Sequence, residues 1–243
     1  MEIGVIVAGR TRGALAPRHG EYPDMFARLL AEALPETRLT PFWTVDGDPP
    51  PAPEAAEAWL VTGSRHGVYD DLPWIEPLKA WLRAARAARR PLIGVCFGHQ
   101  IIAEAFGGAA GKHPGGWRIG RERYETRRLP AWAGAAEGPL ALHALHQDQV
   151  SRAPEDATVW ARGEDCEIAG LIYGDPERPE ALSIQPHPEF DVAFSRDLAR
   201  LLRDDAALPP ETADRALESY GGATDAPRAA RLFADYLRRG TGA

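Results

Sequence analysis

Between Pro91 and Gly108 the chain passes from an apolar run, Leu92-Ile93-Gly94-Val95, through Cys96-Phe97 into a helical stretch from Gly98 to Phe106 that stops at Gly107-Gly108. A short strand that is apolar throughout, turning at once into a helix, belongs to a sheet covered on both faces. Glycines two residues before and two after Cys96 let the backbone turn tightly, as in the G-x-S-x-G elbow, and project the central side chain from the sheet edge. At the N-terminus of a helix the unpaired backbone N–H groups and the dipole favour a thiolate. Ordinary burial is the competing reading for Cys96, because cysteine is among the most buried residue types. The glycine frame favours the nucleophile.

The surrounding pattern is consistent with such a sheet. Strands are expected at Ile3 to Ala8, Leu39 to Val45, Ala58 to Thr62 and Pro91 to Val95, with helices at Pro23 to Leu34 and Trp74 to Arg90 between them. This strand and helix rhythm is that of a doubly wound α/β fold. From Trp117 to Glu189 shorter strand-like pieces follow: Arg118 to Glu125, Leu140 to His143, Thr158 to Ala161, Ile168 to Tyr173 and Ala181 to Gln185. Two more helices are expected at Val192 to Asp204 and Arg228 to Arg239, joined by a Pro-rich polar connection. With no internal repeat or domain boundary evident, residues 1–243 read as one domain, with 191–243 a C-terminal helical extension.

A cysteine nucleophile needs a histidine to take and return a proton, and a third group to hold that histidine's tautomer. Of seven histidines, His187 stands out in Gln185-Pro186-His187-Pro188-Glu189-Phe190, at the end of an apolar strand. Prolines on both sides restrain it to an extended conformation, where residues two apart share a side, so Glu189 can lie beside the imidazole. A solvent-exposed exit loop is the plainer reading of this segment, and the elbow at Cys96 tips the balance. Cys166, the second of two cysteines, sits in Gly163-Glu164-Asp165-Cys166-Glu167, where acidic neighbours disfavour a thiolate; it reads as structural.

Taken together, the elbow Gly94 to Gln100, the Pro-His-Pro-Glu segment and the Thr62-Gly63-Ser64 turn resemble the three signature regions of the class I glutamine amidotransferases, in that family's chain order. The resemblance covers Ile3 to Phe190. It implies a flavodoxin-like three-layer fold with a mostly parallel central sheet, a Cys96-His187-Glu189 triad and a γ-glutamyl thioester intermediate. It also implies an oxyanion hole from the backbone N–H groups of Gly63 and Phe97, and a substrate pocket beside Ser64, Gln100, Leu145 and His146. For Gln100 a purely structural role is an equal alternative, and for His146, in a His-x-Asp-x-Val segment, the structural role is favoured. His99 is expected to pack the elbow. Where family members often carry an acidic residue before the middle strand, this chain has Arg118, which puts the local packing and the substrate choice in question.

The layout is most similar to stand-alone members related to the glutaminase domain of GMP synthase, some of which resemble γ-glutamyl peptidases. Three functions follow as expectations. One is hydrolysis of glutamine or another γ-glutamyl small molecule with water as acceptor. Another is a glutaminase component that passes ammonia to a separate synthetase, since the segment after Phe190 is too short for an ATP-using domain and carries no phosphate-binding loop. The last is a noncatalytic regulatory protein on the same fold, against which the complete triad speaks.

Bulk properties exclude other classes. A net charge of -7 argues against a nucleic-acid footprint, which needs a basic face. Neither cysteine has CxxC or metal-ligand spacing, so no metal is expected, and thiol and imidazole suffice for the chemistry without any cofactor. No run of residues approaches the roughly 20 needed to span a bilayer, and the N-terminus lacks a signal peptide's basic start. A cytoplasmic protein with no membrane partner is expected.

Overall fold

In the computed structural model, which describes residues 1–242, the first half of the chain alternates strand and helix. Its elements are β1 (Glu2–Ile6), the single-turn α1 (Ala16–His19), α2 (Tyr22–Leu30), β2 (Arg38–Phe42), β3 (Ala58–Val61), α3 (Ile75–Ala87), β4 (Leu92–Val95) and α4 (Phe97–Ala105). Strands then dominate: β5 (Ala109–Lys112), β6 (Arg118–Thr126), β7 (Leu140–His146), β8 (Asp148–Arg152), β9 (Ala157–Arg162), β10 (Gly170–Tyr173) and β11 (Ala181–Ile184). Three helices close the chain, α5 (Val192–Asp204), α6 (Pro210–Ser219) and α7 (Ala226–Thr241).

Nine strands form one mixed sheet in the order β2-β1-β3-β4-β11-β10-β9-β6-β7. The five from β2 to β11 are mutually parallel, and the remainder continue the sheet antiparallel. Strands β3, β4 and β11 are buried at every residue, as expected of parallel strands covered on both faces. One face carries Ile3, Val5, Ile93, Val95 and Leu182, packed by Phe26 and Leu30 of α2 and by Leu232, Phe233 and Leu237 of α7. The other carries Ile6, Trp59, Val61 and Leu92, packed by Leu78 and Leu82 of α3 and by Ile101 and Ile102 of α4. Each such aliphatic side chain taken fully from water contributes about 1.5–3 kcal/mol, so the sheet is held rigidly between two apolar layers. The α/β three-layer expectation is thereby met.

Helix α7 also reaches into the sheet through a polar group. The buried Tyr236 hydroxyl accepts a hydrogen bond from the Leu92 N–H at 3.0 Å and donates to the Glu180 carbonyl at 3.0 Å, joining the starts of β4 and β11. The segment between α5 and α7, expected as a plain connection, contains α6. Its Pro210 stands in the first turn, where a missing N–H costs nothing, and only Ala213 and Ala216 are buried. The two-stranded sheet of β5 and β8 was likewise not expected from the sequence. None of the helices among the described residues is long and apolar enough to cross a membrane.

Candidate active site

Three adjacent parallel strands end at the same edge of the sheet and deliver three of the singled-out segments. Val61 pairs with Gly94 and Val95 with Ile184, so the chain leaves β3 at Gly63, β4 at Cys96 and β11 toward His187 side by side. The Cys96 N–H continues the ladder, donating to the Ile184 carbonyl at 2.9 Å. In open α/β sheets this carboxyl edge is where ligands bind.

Cys96 adopts φ 55° and ψ -105°, a left-handed-side conformation that costs a non-glycine residue about 1–3 kcal/mol. The turn is tight on both sides. A Cβ at Gly94 would come within 2.5 Å of the Gly98 carbonyl oxygen, and one at Gly98 would collide with the Val61 carbonyl. Phe97, beyond the elbow, opens α4, whose first N–H groups have no partner within the helix.

His187 is anchored through its backbone, whose N–H donates to the His143 carbonyl at 2.8 Å. Its Nδ1–H donates to Glu189 Oε1 at 2.7 Å, with both side chains buried, and its ring lies flat on Phe190 at 3.9 Å and 4°. Burial alone would lower the proton affinity of the imidazole. The Glu189 carboxylate and then Cys96, by charge and hydrogen bonding, outweigh it and raise the pKa to about 10. Gly63 presses against this ring: a Cβ there would stand 2.9 Å from His187 Cε1 and 3.8 Å from Cys96 Cβ. The turn is fixed by Thr62, whose hydroxyl donates to the Gly63 carbonyl and accepts from the Ala8 N–H.

A cavity of roughly 840 Å³ opens over these groups and is lined by Cys96, His187, Ser64, Gln100, Leu145 and His146 among others. The Leu145 carbonyl faces Cys96 Sγ at 4.0 Å, and the Ser64 hydroxyl accepts from the His66 N–H at 3.1 Å. Gln100 is held by its Nε2, which donates to the Asp148 carbonyl at 2.8 Å and to Gln185 Oε1 at 3.1 Å. His146 Nδ1 must carry a proton to donate to the Asp148 carbonyl at 3.0 Å, so Nε2 is the unprotonated nitrogen and lacks a partner. Burial, then the neighbouring His187, pushes the pKa of His146 down to about 3, which keeps the ring neutral. Glu189 and Phe97 do not line this cavity; Glu189 stands behind the imidazole, lining a separate hollow.

His99 lies under the elbow as expected. Its Nε2–H donates to the Ile168 carbonyl, so Nδ1 accepts from the Ser183 hydroxyl, and Tyr173 must donate to Ser183 in turn. Cys166 is buried and its thiol is pushed up to about 12. The dominant cause is burial, followed by Glu122 across the sheet, rather than the acidic residues beside it in sequence. Arg118 is charge-matched by Glu122 at 2.9 Å and by Asp165. Sequence reasoning missed Tyr22, Phe194, Leu198 and Leu202, which also line the cavity. Among the described residues no group of three or more His, Cys, Asp or Glu side chains could hold a metal ion.

Residues 62–197 match the model of the family "Glutamine amidotransferase class-I", and the chain belongs to that family. Gamma-glutamyl peptidase 3 of Arabidopsis thaliana is 28% identical over 82% of this chain and 80% of its own length. A glutamine-hydrolyzing GMP synthase component of Methanopyrus kandleri is also 28% identical, over 71% of this chain and 86% of its own. Among solved structures, a glutamine amidotransferase from Thermotoga maritima superposes with a TM-score of 0.75 at 17% identity, covering 99% of this chain and 98% of its own, a likeness of fold.

Proposed function

We propose that the chain hydrolyses the γ-glutamyl amide bond of glutamine or a related γ-glutamyl compound, with Cys96 as nucleophile, His187 as general acid and base, and Glu189 as the group that orients His187. The observation that carries this reading is the Nδ1 hydrogen bond from His187 to Glu189, which leaves Nε2 for the thiol of the neighbouring elbow. With the proton already held on His187, as its raised pKa requires, Cys96 Sγ attacks the amide carbon. The oxyanion then meets the N–H groups of Gly63 and Phe97. As the C–N bond breaks, His187 gives its proton to the departing amine, leaving a γ-glutamyl thioester. Water, deprotonated by the same imidazole, attacks the thioester and releases glutamate and the free thiol. Ser64, Gln100, Leu145 and His146 line the space in which the glutamyl half would lie.

Family membership and the gamma-glutamyl peptidase relative support hydrolysis with water as acceptor. The GMP synthase relative supports a second reading, in which ammonia passes to a separate synthetase. Purified chain incubated with glutamine and with γ-glutamyl dipeptides decides between them. Release of glutamate by the chain alone is expected, and Cys96→Ser abolishes it. Activity that needs an added synthetase would sink the stand-alone reading, and unchanged turnover in Cys96→Ser would sink the mechanism.

A further inference from the structure

We infer that the amine half of the substrate is a large apolar group, as in a γ-glutamyl amino acid with a hydrocarbon side chain, and that it lies along α5. This rests on the hydrolase reading above. The acid that protonates the departing nitrogen must reach it, so the amine half leaves on the His187 side of the scissile bond. A connected apolar cluster begins behind that imidazole, with Phe190 at its base outside the cavity lining. Phe190 stacks on His187 at 3.9 Å, Tyr22 stacks on Phe190 at 6.1 Å, and Phe194 meets Phe190 edge-on at 4.6 Å. Along α5 the residues Phe194, Leu198 and Leu202 recur every fourth position and share one side of the helix. At 1.5 Å per residue this strip is about 12 Å long.

Tyr22, Phe194, Leu198 and Leu202 all line the cavity that holds Cys96 and His187. That cavity, at roughly 840 Å³, stands near the upper end of the about 300–1,000 Å³ typical of sites for drug-sized ligands. Glutamine, whose amine half is only ammonia, would leave the cavity edge of this largely buried strip without a contact. A polar feature completes the subsite. Thr11 lines the same cavity and its buried hydroxyl has no hydrogen-bond partner, which a polar group on the amine half, such as an amino-acid carboxylate, would supply. Of the residues of this subsite, Phe194 falls within the residues 62–197 that match the family model, and Thr11, Tyr22, Leu198 and Leu202 fall outside them.

The test compares kcat/KM of the purified full chain for glutamine, γ-glutamylglycine and γ-glutamylleucine. The leucine compound is expected to exceed the other two by about tenfold or more, the range that hydrocarbon contacts in a pocket supply. In Leu198→Asn the leucine-to-glycine ratio is expected to fall toward one. Because both constants are measured on one preparation, the folded fraction cancels from that ratio, and if the variant is insoluble the wild-type ratio alone decides. Glutamine or γ-glutamylglycine hydrolysed as well as γ-glutamylleucine, or an unchanged ratio in Leu198→Asn, overturns the subsite. Failure to hydrolyse any of the three overturns instead the hydrolase reading beneath it.

Discussion

His187 Nδ1 and Glu189 Oε1 lie 2.7 Å apart, a short contact made by residues two positions apart on an extended, proline-flanked segment. Because both side chains are buried, the pair is shielded from solvent and its charge is felt almost fully by the imidazole. Replacing Glu189 by Gln keeps the shape but removes the charge, and the amide can present its NH₂ group to the ring and favour the wrong tautomer. The expected loss in kcat/KM is about 10²- to 10⁴-fold, the usual share of acid and base catalysis, with KM little changed. Steady-state kinetics on a γ-glutamyl amide check this.

The same pair sets a pH dependence. His187 is raised from 6.5 to about 10, so the folded protein binds a proton there that the unfolded chain has released. Stability from this group is complete below about pH 6.5, declines as pH rises and is lost through about pH 10. Thermal melts from pH 6 to 10 should therefore show a steeper alkaline decline in the wild type than in Glu189→Gln. Equal slopes would mean that the carboxylate does not hold the proton on His187.

Alkylation should distinguish the two cysteines. Cys96 lines the cavity, whereas Cys166 is buried away from it with its thiol pushed up to about 12. Iodoacetamide at neutral pH is expected to modify one site per chain, located at Cys96 by peptide mass mapping. Comparable labelling of Cys166 before unfolding would contradict its buried placement.

Gly63→Ala tests the closeness of the turn to the imidazole. Its added Cβ would stand 2.9 Å from His187 Cε1, tighter than ordinary van der Waals contact, so the ring must shift. Displacement of about 1 Å from a productive geometry can cost on the order of 10²-fold in rate. Turnover should fall to that extent while the urea midpoint moves little. A variant with full activity would show that the ring has room to give.

Tyr236→Phe is the corresponding test of the support at the start of β4, the end opposite the elbow. Loss of the hydroxyl leaves the buried Leu92 N–H without its acceptor, which costs about 1–3 kcal/mol. Urea denaturation should report that loss in the midpoint with an unchanged slope.

The site was legible in the sequence to the extent that it is local. Glycines around Cys96 and prolines around His187 act on their own backbone, so spacing alone announces an elbow and an extended pair. The bounds of α5, Val192–Asp204, were likewise legible, because Phe194, Leu198 and Leu202 recur at helical spacing. Helix α6 was hidden because its prolines signal a loop and its buried face is made of alanines. The pairing of β5 with β8 joins Ala109 to Arg152, a partnership no local pattern declares. Tyr22 and Leu202 reach the cavity only through the packing of α2 against α5, so their place there could be read only in three dimensions.

The pairing of β4 with β11 carries one more consequence. The segments bearing Cys96 and His187 are anchored on neighbouring strands, which sheets hold about 4.8 Å apart through backbone hydrogen bonds, whatever the side chains. The spacing of the proposed nucleophile and base is thus a property of the main chain. Loops, surface helices and the cavity wall can all change in sequence without stretching it, so new specificities can be tried on this framework while the two proposed catalytic side chains keep their separation.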